Sequence, residues 1–173
     1  MKVLETDRLV LRHLDTGDAA FIFDLVNDPD WLRYIGDKGV RTLDDARAYI
    51  ANGPVAMYGR VGFGLYCVEL KSAATSIGIC GLIKRDTFAD VDIGFAFLPG
   101  FRSQGYAAEA ARATVAHGFD AIGLRRIIAI TSPDNAASGR LLEKVGLRFE
   151  RMLAIPGEDR EVRLYACAAP AIE

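Results

Sequence analysis

Val91-Asp92-Ile93-Gly94-Phe95-Ala96-Phe97-Leu98-Pro99-Gly100-Phe101-Arg102-Ser103-Gln104-Gly105-Tyr106-Ala107 begins as an apolar strand, breaks at a turn and opens an alanine-rich helix. A strand that ends in a glycine-containing loop and runs into a helix points several free backbone N–H groups at one spot. Those donors and the positive end of the helix dipole together bind anions, phosphates above all. Gly105 has no side chain to block a close approach, and Ala107 and Ala108 keep the first helical turn thin. Two phosphate loops of known spacing do not fit. No Lys-Ser or Lys-Thr follows Gly105, as a P-loop requires, and Gly100 and Gly105 are wrongly spaced for the dinucleotide fingerprint. The pattern that remains is Arg102-x-x-Gly105-x-Ala107.

On either side of this stretch the hydrophobic period changes. Residues 61–70, 76–84 and 90–98 read as three strands joined by short polar turns, an antiparallel meander. Residues 103–121 form the central helix and 125–132 a buried strand, so the unit from 91 to 132 is a right-handed parallel crossover. Asn135 to Val145 is a short helix stopped by Gly146, and strands at 147–155 and 161–168 close the chain. Near the start, residues 8–14 read as a strand. Asp15 or Thr16 caps a helix with apolar positions Ala19, Ile22, Phe23 and Val26, which Pro29 ends or just follows. Thr42-x-x-Asp45 resembles a capping box for a second helix through Ile50, closed near Gly53. The order predicts an α/β (α+β) domain spanning residues 1–173. Its sheet is mixed and mostly antiparallel, of about seven strands, with helices on both faces.

Bulk properties exclude several classes. The 173 residues are 51% hydrophobic and 25% charged, with a net charge of −2 and no long basic or acidic block, which argues against an extended nucleic-acid interface. No apolar run approaches the roughly 20 residues a membrane span needs, and the opening residues are too charged for a signal peptide. Cys67, Cys80 and Cys167 form no Cys-x-x-Cys pair and only two histidines accompany them, so they read as buried filler and no metal site is expected. A cytoplasmic location follows as the expectation.

Residues 132–149 carry a second motif, Ser-Pro-Asp-Asn-Ala-Ala-Ser-Gly-Arg-Leu-Leu-Glu-Lys-Val-Gly-Leu-Arg-Phe. Locally Asn135 is a good N-cap, Ser138 lies just inside the helix, and Leu141, Leu142 and Val145 form its buried stripe. Arg102-x-x-Gly105-x-Ala107 resembles the acetyl-coenzyme A (acetyl-CoA) pyrophosphate loop of the GNAT N-acetyltransferases. The second motif is similar to the corresponding block of the RimJ/RimL-like ribosomal-protein N-terminal acetyltransferase type. The opening Glu5-Thr6-Asp7-Arg8-Leu9-Val10-Leu11-Arg12, followed by Asp18-Ala19, resembles that group's first strand and helix, so the likeness covers nearly the whole chain.

The resemblance implies a sheet splayed after the fourth strand and a set of roles. Backbone N–H groups of Arg102, Ser103, Gln104, Gly105, Tyr106 and Ala107 hold the pyrophosphate. The main chain of Phe97 and Leu98 pairs with the pantetheine amides, and the Asn135 side chain contacts the same arm. Ser138 donates a proton to the leaving thiolate. Many branches place a tyrosine acid where this chain has Leu142, a departure that leaves Ser138 as the candidate. Asp92, on the strand face shared with Gly94, Ala96 and Leu98, is either the general base or a solvated edge acid. Trp31, Tyr34 and Tyr58 either wall an acceptor pocket or fill core. Glu109, His13 and His117 read as structural, and Glu158, Asp159 and Glu161, in the final turn, either border the acceptor site or are ordinary loop charges.

The expected activity is acetyl transfer from acetyl-CoA to a primary amine. An α-amine with pKa near 7.7–8.0 is about one-third neutral at pH 7.5, whereas a lysine near 10.4 is only about 0.1% neutral. A site without an obvious strong base therefore favours a protein or peptide N-terminus. A small-molecule amine (polyamine, amino acid or aminoglycoside) is the alternative acceptor, and a non-catalytic acyl-CoA-binding regulatory module the alternative class. The expected assembly is a monomer or homodimer, with neither nucleic acid nor membrane as partner.

Overall fold

The computed structural model describes residues 1–172; Glu173, the last residue of the expected domain, lies outside the described residues. One sheet of eight strands runs β1 (Lys2–Glu5), β2 (Leu9–Arg12), β3 (Leu65–Leu70), β4 (Thr75–Ile83), β5 (Val91–Phe97), β6 (Arg126–Thr131), then β8 (Glu161–Ala168) and, at the far edge, β7 (Arg148–Ala154). Every neighbouring pair is antiparallel except β5–β6. The expected class therefore holds, with eight strands in place of about seven. The extra one, β1, is a four-residue edge strand whose pairing with β2 is interrupted by a register shift. The last two strands form a hairpin, and its second arm, β8, inserts beside β6.

The helical layer between β2 and β3 differs from the sequence reading at two prolines. A 3-10 turn capped by Asp15 leads into α1 (Ala19–Val26). Pro29, rather than only ending that helix, takes the first position of α2 (Pro29–Tyr34) behind the N-cap Asp28, where its missing N–H costs nothing. Thr42 and Asp45 form the expected capping box of α3 (Leu43–Ile50). The helix does not close near Gly53. Pro54 has no N–H for the α ladder, so the chain widens into a π turn over Ala51–Val55. It then continues as α4 (Ala56–Val61) and stops at left-handed Gly62.

α5 (Tyr106–Asp120) packs one face of the sheet, burying Ala110, Ala111 and Val115 with Leu9, Leu11, Val68, Leu82, Ile93 and Ile127. α1, Trp31 of α2 and α3 cover the other face through Ile22, Leu25 and Ile50 against Cys67 and Ile79. Removing these side chains from water at about 25 cal/mol per Å2 is the main term holding both helical layers on.

The turn between β1 and β2 is tied to the first turn of α5 by one carboxylate. Glu109 accepts from the Thr6 hydroxyl at 2.6 Å, the Arg8 amide at 2.9 Å and Arg8 Nε at 2.7 Å. Burial alone raises its pKa, but the bonds from Thr6 and Arg8 outweigh it and hold the carboxyl below the usual glutamate value. A depressed pKa contributes stability above the unfolded value, about 4.3, and loses it as pH falls through the folded one. Glu109→Gln is expected to cost about 1–3 kcal/mol near pH 7. In denaturant melts the gap between wild type and variant should close below about pH 4; a gap independent of pH would contradict the charged role.

Candidate active site

The β5–β6 pair is parallel for only two residues, Val91 with Ile127 and Asp92 with Ile128, after which the strands diverge. This is the splay expected from the sequence, at the same residues, although β5 is the fifth strand once β1 is counted. Divergence leaves one edge of β5 without a partner. The β4–β5 register is regular from Gly78–Phe97 to Ile83–Asp92, and the Leu98 amide donates to the Ile77 carbonyl at 2.9 Å. By the antiparallel alternation, the N–H and C=O groups of Leu98, Ala96 and Gly94 face β4, and those of Phe97 and Phe95 face the opening. The main chain of Phe97 is thus on the open edge, while the Leu98 amide is committed to β4.

Beyond the end of β5, a 3-10 turn over Pro99–Phe101 leads to Arg102. The Arg102 amide donates back to Pro99, so it closes that turn rather than joining the expected row of free donors. Ser103 and Gly105 both take positive φ, +59° and +83°. Gly105 is the N-cap of α5 and supplies no side-chain cap, and the first helical bond runs from Glu109 to the Gly105 carbonyl at 3.0 Å. Among the described residues, no amide from Ser103 to Ala108 donates to a backbone or side-chain acceptor. A left-handed loop followed by an uncapped 15-residue helix is a ready anion cradle. Arg8 flanks it, donating to the Gln104 carbonyl at 3.0 Å and lying 4.3 Å over the Tyr106 ring. A second hollow of about 590 Å3 outside the first turns of α5 adds Arg112 and Lys144 beside Arg8.

Between the splayed strands lies a cleft of about 1110 Å3. Phe97, Arg102, Ser103, Gly105, Ala107, Asn135, Ser138, Asp92, Trp31 and Tyr34 all line it. Leu98, Gln104 and Tyr106 do not; the Gln104 side chain instead donates to the Gly100 carbonyl at 2.9 Å. On the β6 side, α6 (Ala136–Lys144) is capped by Asn135, whose side-chain oxygen accepts the Ser138 amide at 3.2 Å. Gly139 lets this helix settle on β8, since a Cβ there would stand 2.5 Å from the Tyr165 hydroxyl. Ser138 is half-buried at the cleft wall.

The α2 helix spans the cleft from one splayed strand to the other. On the β5 side Arg102 holds it, donating to Asp28 at 2.6 Å, to Asp30 at 2.7 Å and, through Nε, to the Phe97 carbonyl at 3.0 Å. On the β6 side the Ser132 hydroxyl donates to the Tyr34 carbonyl at 3.1 Å. The Arg102 side chain therefore anchors a helix instead of pointing at a phosphate. Trp31 is 5% exposed, so it belongs to the core under α1 and α3 while its edge lines the cleft. Its indole Nε1 and the Thr131 hydroxyl are buried without a hydrogen-bond partner among the described residues. Tyr58 does not line the cleft. Its hydroxyl accepts from the Leu14 amide and donates to the Leu65 carbonyl, and its ring stacks 4.0 Å from that of His13.

Near the start of β5, Asp92 is 1% exposed and accepts from Arg85 Nε at 3.0 Å. Burial pushes its pKa up and Arg85 only partly offsets this, so it is not a solvated edge acid. Lys38, Tyr49, Arg85, Glu158 and Arg160 line the same cleft, and none of them carries a motif in the sequence. They come from three separate loops and a helix, and only the fold brings them together. Glu158, read from the sequence as bordering the acceptor site or as a loop charge, lines the cleft and pairs with Arg160 at 2.6 Å. No group of three or more His, Cys, Asp or Glu able to hold a metal exists among the described residues, and no helix among them is long and apolar enough to cross a membrane.

Comparison with known proteins matches this architecture. Residues 8–148 fit the family model described as an acetyltransferase (GNAT) domain. The chain is 33% identical over 153 residues to the uncharacterised N-acetyltransferase YoaA of Bacillus subtilis, covering 87% of this chain and 85% of that protein. It superposes with a TM-score of 0.80 and 30% identity on a GNAT-family acetyltransferase from Bacillus anthracis, covering 97% and 98% of the two chains. The structure of RimL, a ribosomal-protein alpha-N-acetyltransferase, in complex with coenzyme A superposes with a TM-score of 0.72 at 16% identity, covering 97% and 98%.

Proposed function

The chain belongs to the GNAT acetyltransferase family and is an N-acetyltransferase, and from that premise we propose that it acetylates the α-amine of a protein or peptide N-terminus with acetyl-CoA as donor. One observation carries the placement: the uncapped amides of Ser103–Ala108 sit at one end of the open β5 edge, and Asp92 sits at the other. At about 3.3 Å per residue the edge from Asp92 to Phe97 is about 17 Å long. That length suits a pantetheine arm between a pyrophosphate at the loop and a thioester near Asp92.

Acetyl-CoA supplies the acyl group already activated as a thioester. The chain's own groups do the rest. Amides of Ser103–Ala107 and the α5 dipole bind the diphosphate. The free N–H groups of Phe97 and Phe95 and the Phe95 carbonyl fix the arm as an added strand, and a free amide of the same edge polarises the acetyl carbonyl. The Asn135 oxygen caps α6, which leaves its amide nitrogen for the arm. As the amine's C–N bond forms and the C–S bond breaks, Asp92 takes the proton that the amine loses and Ser138 gives one to the departing sulfur. A carboxyl pushed up by burial suits the first task, since a base works best with its pKa near the working pH. The α-amine is favoured over lysine by the few-hundredfold larger neutral fraction. The RimL neighbour, named for α-amine transfer, supports the same choice.

The test is a competition between a peptide with a free N-terminus and an N-terminally blocked peptide containing lysine, with a small-amine panel alongside and products located by mass spectrometry. The expected product is the α-N-acetyl peptide, with a rate that rises from pH 6.5 to about 8. Acetylation confined to lysine, or to a small amine, overturns the reading.

A further inference from the structure

The part of the cleft around Arg85 carries an excess of positive charge that the transfer chemistry does not call for. Three cations, Lys38, Arg85 and Arg160, line it with two carboxylates, Asp92 and Glu158. The carboxylates are already matched: Arg85 Nε stands 3.0 Å from Asp92, and Arg160 Nε 2.6 Å from Glu158. Among the described residues Lys38 makes neither an ion pair nor a hydrogen bond, so its ammonium is the unmatched charge. An amine acceptor is itself cationic when protonated, and a bare ammonium gains nothing from such a pocket. A cation without a counter-charge in a cleft with low-dielectric walls attracts an anion more strongly than it would on an open surface.

A second observation concerns hydrogen bonding. Trp31 lines the same cleft, and its buried indole N–H is a donor without an acceptor among the described residues.

We propose that the acceptor is anionic next to its amine: a peptide N-terminus with Asp or Glu within its first three residues, whose carboxylate is held by Lys38 with support from Arg85 and Arg160. The proposal rests on the peptide reading of the preceding section and adds the sequence class of the peptide. Lys38 lines the cleft and is exposed. Partial burial, then repulsion from Arg85, lower its pKa below the usual lysine value. A carboxylate bound between these groups relieves that repulsion.

The experiment measures kcat and KM for three free-N-terminus peptides of equal length, with Asp-Glu, Ala-Ala or Lys-Lys after the first residue, on wild type and on Lys38→Gln, Lys38→Arg and Lys38→Glu. The expected order for wild type is acidic over neutral by about 10-fold in kcat/KM, through KM, and neutral over basic by a similar factor. The acidic preference should shrink as salt is raised from 0.05 to 0.5 M. Lys38→Gln should raise KM for the acidic peptide by about 10-fold and leave the neutral one unchanged. Lys38→Arg should restore the preference, and Lys38→Glu should reverse it. Equal turnover of all three peptides, or a preference for the basic one, overturns the inference and leaves peptide acetylation standing. If no peptide turns over, the peptide reading fails, and glutamate against spermidine then decides the charge: preference for spermidine overturns the anionic acceptor, preference for glutamate retains it on a small molecule.

Discussion

Ser138→Ala should lower kcat by about 10²–10⁴, with little change in the affinity for acetyl-CoA. On the transition-state scale that is about 3–5 kcal/mol, too large for the loss of an ordinary exposed hydroxyl. The local structure makes the variant clean. Ser138 contributes its amide, not its hydroxyl, to the cap of α6, and the cap oxygen belongs to Asn135. Alanine keeps the amide and has the higher helix propensity, so the helix should be no less stable. The hydroxyl has no hydrogen-bond partner of its own among the described residues, although Ser138 lines the cleft. Leu142, buried one turn on, offers no proton. Single-turnover kinetics would separate the chemical step from product release. A variant whose chemical step runs at the wild-type rate would reduce Ser138 to a spacer and leave the departing sulfur to be protonated by solvent.

What the chain announces in its sequence follows the range of the forces involved. The strand–loop–helix unit at residues 91–120 was legible because its signals are local: an apolar run, a proline and glycine break, then small helix formers. The cap of α3 at Thr42 and the stop at left-handed Gly146 were legible for the same reason. β1 was not, because four residues at a sheet edge carry no alternation long enough to read. The direction of the Leu98 amide was hidden too, since it depends on the register of β4 against β5 and not on either strand alone. Arg102 is the sharpest case. Its place in a phosphate-loop pattern suggested a backbone donor beside an anion. Its long side chain instead reaches Asp28 and Asp30, about seventy residues earlier in the chain, and braces α2 across the cleft. Lys38, Arg85, Glu158 and Arg160 carry no motif because each is an ordinary surface residue type whose meaning arises only where three loops converge.

Gly105→Glu should weaken acetyl-CoA binding by at least about 100-fold, the largest effect expected on the donor side. Three penalties act together. Gly105 has φ +83°, which side-chain-bearing residues adopt only at a cost of about 1–2 kcal/mol. A Cβ there would stand 3.2 Å from Nη2 of Arg8, so the guanidinium that supports the Gln104 carbonyl must shift. The new carboxylate then lies at the N-terminus of α5, where it can accept from the same amides that would hold the diphosphate, and it repels that group directly. Gly105→Ala isolates the first two penalties and should lose only about 10-fold, while Gly105→Gln adds the bulk of the longer side chain, so the difference between the Gln and Glu variants measures the charge. Raising the salt concentration should narrow that difference, because exposed like charges are screened. Calorimetry with coenzyme A reads the affinities, and circular dichroism checks that each variant is folded. A folded Gly105→Glu protein with wild-type affinity would move the diphosphate away from α5, and with it the direction in which the pantetheine arm follows β5 toward Asp92.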